Sequence, residues 1–138
     1  MSKKGTSQIE QDVFDVLEIF LAGKIAGTVY MRDCRPVDAE TEDAVIAIPV
    51  GDAEQIQSGR ARINIYVKDI DNNSGCLMPA KKRLQEIEAL ADAIEEALNE
   101  YLFEEYTFEL SEAPETTKAE NINQHFVSIC IDFKRITF

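Results

Sequence analysis

The chain has no tryptophan, a single histidine and only three cysteines in 138 residues. One histidine, His125, cannot build a histidine metal cluster, and no serine or acid beside it in sequence completes a nucleophilic triad. Cys34, Cys76 and Cys130 are odd in number and form no CxxC pair, which argues against a disulfide framework and for a reducing cytoplasm. Cys130, inside the apolar run VSICIDF, reads as a buried small hydrophobe. Glycine is sparse, six in all and standing singly, so no phosphate-cradling loop is present. Nowhere do about 18 apolar residues run together, and MSKKGTSQ lacks the apolar stretch of a signal peptide, so neither a membrane span nor a leader is expected. Positive charge is scarce as well: 14 Lys and Arg stand against 26 Asp and Glu, a net charge of −12. Such a surface repels phosphate backbones, which speaks against specific nucleic-acid binding and for a basic protein partner or plain solubility.

The deficit is uneven. Residues 1–68 carry eight basic and eleven acidic groups, whereas residues 69–138 carry six and fifteen. Much of the excess lies in the stretch Pro79 to Phe103. Its apolar residues Leu84, Ile87, Ala91, Ile94, Leu98 and Tyr101 recur in steps of three and four, with Leu90 and Leu102 widening the stripe. That period predicts one amphipathic helix, about 36 Å long at about 1.5 Å per residue. On its polar side Glu88, Asp92, Glu96, Glu100 and Glu104 repeat every four residues. Each like-charge pair costs roughly 0.2–0.5 kcal/mol. The ends are charged against the helix dipole too, with Lys81, Lys82 and Arg83 first and Glu100, Glu104 and Glu105 last. This acidic stripe is the candidate partner-facing surface, with an ordinary solvated face as the bland alternative.

An earlier helix is predicted from the capping box Ser7-x-x-Glu10 to a stop at Gly23, with Ile9, Val13, Val16, Leu17, Phe20 and Leu21 on its apolar side and Asp12, Asp15 and Glu18 toward solvent. Strands are expected at Thr28–Arg32, Ala44–Val50 and Arg60–Ile70, with Pro49 marking an edge or bulge in the second. In the third, Ile63, Ile65 and Val67 alternate with Arg62, Asn64, Tyr66 and Lys68. Asp33–Asp43 and Gly51–Gly59 read as loop and turn. Tyr106–Leu110 and His125–Phe133 complete the strands, the last extending toward Phe138, with SEAPETTKAENIN as a polar loop between them. The expectation is one domain over residues 1–138, α+β, in the order α-β-β-β-α-β-β. Its mostly antiparallel sheet, a meander plus a hairpin, carries both helices on one face.

Two local motifs invite chemistry. Asp69-Ile-Asp71-Asn-Asn73-Ser-Gly75 fails as a calcium loop, because the glycine falls at position seven and position twelve is Ala80. Asp69, Asp71 and Asn72 resemble the acidic pair with which RusA-type junction resolvases hold magnesium. The lysine those enzymes carry a few residues later is absent here, as is the basic surface a nuclease needs.

A wider resemblance rests on two runs. Ile56-Gln57-Ser58-Gly59 leads through Asn64-Ile65-Tyr66-Val67 to Asp69-Ile70-Asp71-Asn72, and His125-Phe126-Val127 opens the last strand. With the strong strand feeding a long amphipathic helix, these resemble the tail-terminator and tail-completion proteins of long-tailed phages, in particular small prophage proteins of Bacteroides-like bacteria. The resemblance implies a non-enzymatic protein without cofactor or metal. It implies a ring of copies of itself, usually six, that caps the tail tube and meets the head–tail connector. It also implies assembly in the bacterial host cytoplasm and a final place in the tail or neck of the virion. No family site residue transfers. The acidic stripe then faces either a neighbour or the lumen through which DNA slides, and the RusA-like nuclease is the alternative.

Overall fold

The computed structural model describes residues 5–48, 58–71 and 75–135. The end of the second expected strand at Pro49 and Val50, most of the Gly51–Gly59 turn, Asn72 to Ser74 and the extension to Phe138 lie outside the described residues.

The first helix, α1, is Thr6–Leu21. Gly5 is its N-cap and has no side chain to cap with, while its carbonyl accepts the N–H groups of Gln8 and Ile9. The helix thus starts two residues before the expected cap, and Ser7 lies within it. Ile9, Val13, Val16, Leu17 and Leu21 are buried as their spacing requires. The helix ends as expected: Gly23 takes φ +80°, and Lys24 and Ile25 fold back onto the Leu21 carbonyl.

The strands among the described residues are β1 Val29–Met31, β2 Ala44–Ala47, β3 Ser58–Lys68, β4 Ile70–Asp71, β5 Leu77–Met78, β6 Tyr106–Leu110, β7 Glu115–Lys118 and β8 Gln124–Arg135. The main sheet runs β1-β2-β3-β8-β6, with β7 also on β8, while β4 and β5 form a separate hairpin. The fold class is α+β with a mostly antiparallel sheet. Three details depart from the simple meander. β1 and β2 are parallel, the long 32–43 loop giving the chain room to return to the same end. β8 lies between β3 and β6. The expected polar loop contains β7, whose Thr116 and Thr117 sit opposite Val127 and Phe126.

The second helix is not continuous. It breaks at Ala89 (φ −68°, ψ −15°) into α2, Lys81–Glu88, and α3, Leu90–Tyr101. Leu84 and Ile87 on α2, and Ala91, Ile94, Ala97 and Leu98 on α3, are buried. Tyr101, at the end of α3, is 62% exposed rather than packed. α1 lies beside α3, α2 lies over β3 and β8, and α3 lies over β6. All this apolar surface meets one side of the sheet. Ala61, Ile63, Ile65 and Val67 of β3 point there with Val127, Ile129, Ile131 and Phe133 of β8. Burial of each large aliphatic side chain contributes about 1.5–3 kcal/mol. Among the described residues no helix covers the other face of the sheet.

The edge strand β6 is closed by side chains of α3. Asn99 donates to the Phe108 carbonyl and accepts from the Phe108 N–H, both at 2.9 Å, and Glu95 accepts from the Leu110 N–H at 2.5 Å. These bonds occupy backbone groups that another strand would otherwise use.

Candidate functional site

The acidic stripe divides in two. Glu88, at the end of α2, accepts a 2.6 Å hydrogen bond from the Thr116 hydroxyl and so anchors β7. Asp92, Glu96, Glu100 and Glu104 are exposed. The helix ends that looked unfavourable are compensated from outside. Arg83 holds Glu42 through both Nε (2.8 Å) and Nη2 (2.5 Å) and donates to the Lys24 carbonyl at 2.7 Å. The hydrogen bonds to Glu42 raise its guanidinium pKa further above the ordinary value. At the other end Arg135 pairs with Glu105 at 2.6 Å.

α1 extends the acidic surface beyond the stripe. Glu10, Asp12, Asp15 and Glu18 on α1, with Asp92, Glu95, Glu96 and Glu100 on α3, stand on two neighbouring helices that have no lysine or arginine. Asp12 does not simply face solvent: it accepts from the buried Tyr106 hydroxyl at 2.7 Å. Burial first, and then this bond, push the Tyr106 phenol well above its ordinary pKa of 10.0. In sequence the first helix and the second helix beyond Arg83 both lack a cation, but only the packing of α1 on α3 joins them into one face.

The Asp69/Asp71 loop does not gather as an acidic pair. Asp69 is buried, donates its N–H to the Asn123 carbonyl at 3.0 Å, and puts Oδ1 2.7 Å from His125 Nδ1. Asp71 is exposed on the β4–β5 hairpin. His125, which no acid near in sequence claims, thus has its partner 56 residues away. Among the described residues no three of His, Cys, Asp and Glu stand close enough to hold a metal ion. Cys34 and Cys76 are exposed and Cys130 is buried.

The most connected polar cluster was missed in sequence. Asp43 is fully buried and accepts from the Thr28 N–H (2.8 Å), the Thr41 hydroxyl (2.7 Å) and Arg35 Nε (3.0 Å). Burial alone would raise the Asp43 pKa, but the bonds from Thr28, Thr41 and Arg35 outweigh it and hold the carboxyl below its ordinary 3.8. Arg35 also reaches Gln124 at 2.9 Å and lies 4.2 Å over the Tyr66 ring. A Cβ on Gly27 would strike Asp43 and the Glu42 backbone, so the site tolerates only glycine there. This cluster clamps the 32–43 loop beside the uncovered sheet face. A groove of about 850 Å³ results, floored by Val45, Ala47, Asn64, Tyr66 and Phe126. Tyr66 and Phe126 pack with ring centroids 5.2 Å apart, and the buried Asn64 Oδ1 lacks a hydrogen-bond partner among the described residues.

The fold defines a two-layer α+β sandwich with one sheet face open. A solved structure that carries no functional name shares it, with a TM-score of 0.51 at 10% identity over 99% of each chain. At that identity the likeness is one of fold alone. No family model matches the chain, and no curated protein matches it.

Proposed function

We propose that this chain is a non-enzymatic structural subunit of a phage or prophage tail, a tail terminator or head–tail joining component that forms a ring on the tail tube. The observation that carries the reading is the placement of the two runs on which the resemblance rests. Ile65, Tyr66 and Val67 are paired in register with Val127, Phe126 and His125. Segments about 60 residues apart in sequence therefore make one patch at the centre of the sheet, as a shared structural core would. The acidic helices support the same reading, since a wall that repels phosphate suits the passage of DNA without adhesion. Its partners on this reading are copies of itself, the tail-tube protein and the head–tail connector. It would assemble in the host cytoplasm and end in the tail or neck.

The test is light scattering of the purified chain with and without tail-tube protein, followed by electron microscopy. Tube ends capped by a ring of about six copies are expected. A chain that never binds tubes would sink the proposal. Magnesium-dependent junction cleavage abolished by Asp69→Asn and Asp71→Asn would replace it with the nuclease reading.

A further inference from the structure

We infer that the seam between α1 and α3 holds a basic amphipathic helix of another protein, with its apolar ridge in the seam and its lysines or arginines on the acidic flanks. The inference stands apart from the ring reading; within a tail it gives this face a neighbour rather than the lumen.

The seam has an apolar centre. Asp15, Val16 and Ile19 of α1 and Tyr101 of α3 frame a cleft of about 210 Å³ where the two helices meet. Ile19 is 69% exposed, Tyr101 62% and Phe103, just beyond, 65%. Large apolar side chains around a hollow form the usual centre of a contact surface, which a partner fills with an anchor of its own.

The flanks set the charge of that partner. Glu18 on α1, and Asp92, Glu96 and Glu100 on α3, are exposed and have no ion-pair partner among the described residues. Asp15 accepts from the neutral Gln11 at 2.7 Å, which leaves its charge uncompensated. The nearby cations are engaged elsewhere. Lys24 turns its ammonium onto the Phe20 carbonyl at 3.0 Å and over the Phe20 ring, and Arg135 pairs with Glu105. Lys81 and Lys82 open α2, and Lys82 lies about 27 Å of helix away from Glu100. A cationic partner relieves the repulsion among these carboxylates, whereas the same face of a second copy would set acid against acid.

The backbone argues for a helix as the occupant. The N–H and C=O groups of α1 and α3 are used within those helices, so an extended segment laid over them would find no ladder to join. A helix arrives with its own groups satisfied. Two helices side by side leave a furrow that the ridge of a third fits. One row of its side chains enters the cleft, and the rows on either side reach Glu18 and the Glu96/Glu100 pair, as flanking positions do in a coiled coil. α3 is about 18 Å long, so about three turns of partner cover it. Such a contact takes several hundred Å² from each side, below the roughly 800 Å² typical of a stable complex. Binding should be weak and sensitive to salt.

The probe is a synthetic peptide of about fourteen residues, with leucine at the a and d positions of a heptad, lysine elsewhere, blocked ends and a fluorophore. Its control has the same composition, scrambled so that no apolar face forms. Fluorescence anisotropy against the full chain is read in about 20 mM salt, where the Debye length is about 20 Å, and again at about 0.5 M. The amphipathic peptide should bind one to one, at least about tenfold more tightly than the scramble, and weaken at high salt. Glu96→Gln with Glu100→Gln should weaken both peptides and flatten the salt dependence. Ile19→Ser with Tyr101→Ser should remove the preference for the amphipathic peptide. Circular dichroism checks folding, and Ile19→Ser alone serves if that pair does not fold. Val37→Ser, at an apolar residue 92% exposed on the 32–43 loop, should bind like wild type. Equal binding of the two peptides, an Ile19/Tyr101 variant that keeps the preference, or no binding at all would overturn the inference. So would self-association of the peptide-free chain in sedimentation that the Ile19/Tyr101 variant abolishes, because the occupant would then be a second copy. Peptide binding by a chain that ignores tail tubes removes the tail reading and leaves this one; capped tubes without peptide binding do the reverse.

Discussion

Asp43→Ala should be far more damaging than the loss of any surface ion pair. Asp43 is fully buried, and its partner Arg35 has a side chain only 9% exposed. Removing the carboxylate leaves the guanidinium buried without its counter-charge and strips the acceptor from Thr28 and Thr41. Breaking a buried pair in this way costs about 3–5 kcal/mol. With a urea slope of about 2 kcal/mol/M, a loss of about 4 kcal/mol lowers the unfolding midpoint by about 2 M. Arg60→Ala is the control. The Arg60 and Asp132 side chains are 47% and 51% exposed, so solvent screens the pair and its loss should leave the unfolding midpoint almost where it was. Replacing both buried partners, in Asp43→Ala with Arg35→Met, should return part of the loss, because no unpaired charge remains. The assay is urea denaturation followed by circular dichroism. A loss below about 1 kcal/mol in Asp43→Ala, or a double variant that falls by the sum of the single losses, would refute the reasoning. The pH dependence carries a fixed sign. A carboxyl whose folded pKa lies below its unfolded 3.8 contributes stability that is present above 3.8 and is lost as pH falls through the lower folded value. Wild type should therefore lose stability below about pH 4 more steeply than Asp43→Ala.

Tyr106→Phe should cost about 1.5–3 kcal/mol, the range for a hydrogen bond to a charged acceptor, measured by urea denaturation against Asp12→Asn. The same bond delays ionisation. A phenol whose pKa is raised on folding contributes stability that is present below about pH 10 and is lost as pH climbs through the folded value, so a difference absorbance titration against Tyr106→Phe should show this ring ionising only as the fold opens. Asn99→Ala removes both bonds to Phe108 and uncovers the edge of β6. It should lose about 1–3 kcal/mol and gain a concentration-dependent, thioflavin-positive aggregate, and a variant as soluble as wild type would show the cap to be dispensable.

What could be read in advance followed periodicity. The alternation in β3 and β8 and the stripes of α1 and α3 are local patterns, each set by burial of one side, and they place the core correctly. β7 escaped because ETTK is polar throughout and becomes a strand only because β8 offers it a ladder. The break at Ala89 escaped for the opposite reason. Alanine is the best helix former, and the apolar repeat runs through it without a mark. The parallel pairing of β1 and β2 and the insertion of β8 are matters of topology, invisible to any window of neighbouring residues. Of the candidate surfaces, the stripe on α3 was legible, but its union with α1 was not. The Asp69–His125 pair could not be seen, since its members meet only across the fold, and the Asp43 cluster, though Arg35 and Thr41 lie close to Asp43 in sequence, carries no periodic pattern and is completed by the distant Gln124.

The place of β8 also governs how the molecule reaches its native state. This strand pairs with β3 along its whole length while β6 and β7 share its other edge, so three strands take their register from it. Its contacts with β3 join residues 56 to 76 positions apart, and β2 and β3 before it have no means of completing the sheet alone. Closing loops of that size must precede any reward from the ladder, which places folding on the slow, millisecond-to-second side of the range for single domains. Until β8 docks, the long apolar edge of β3 is open to other chains. Misassembly during refolding should therefore respond to changes in β8 before it responds to changes in the helices.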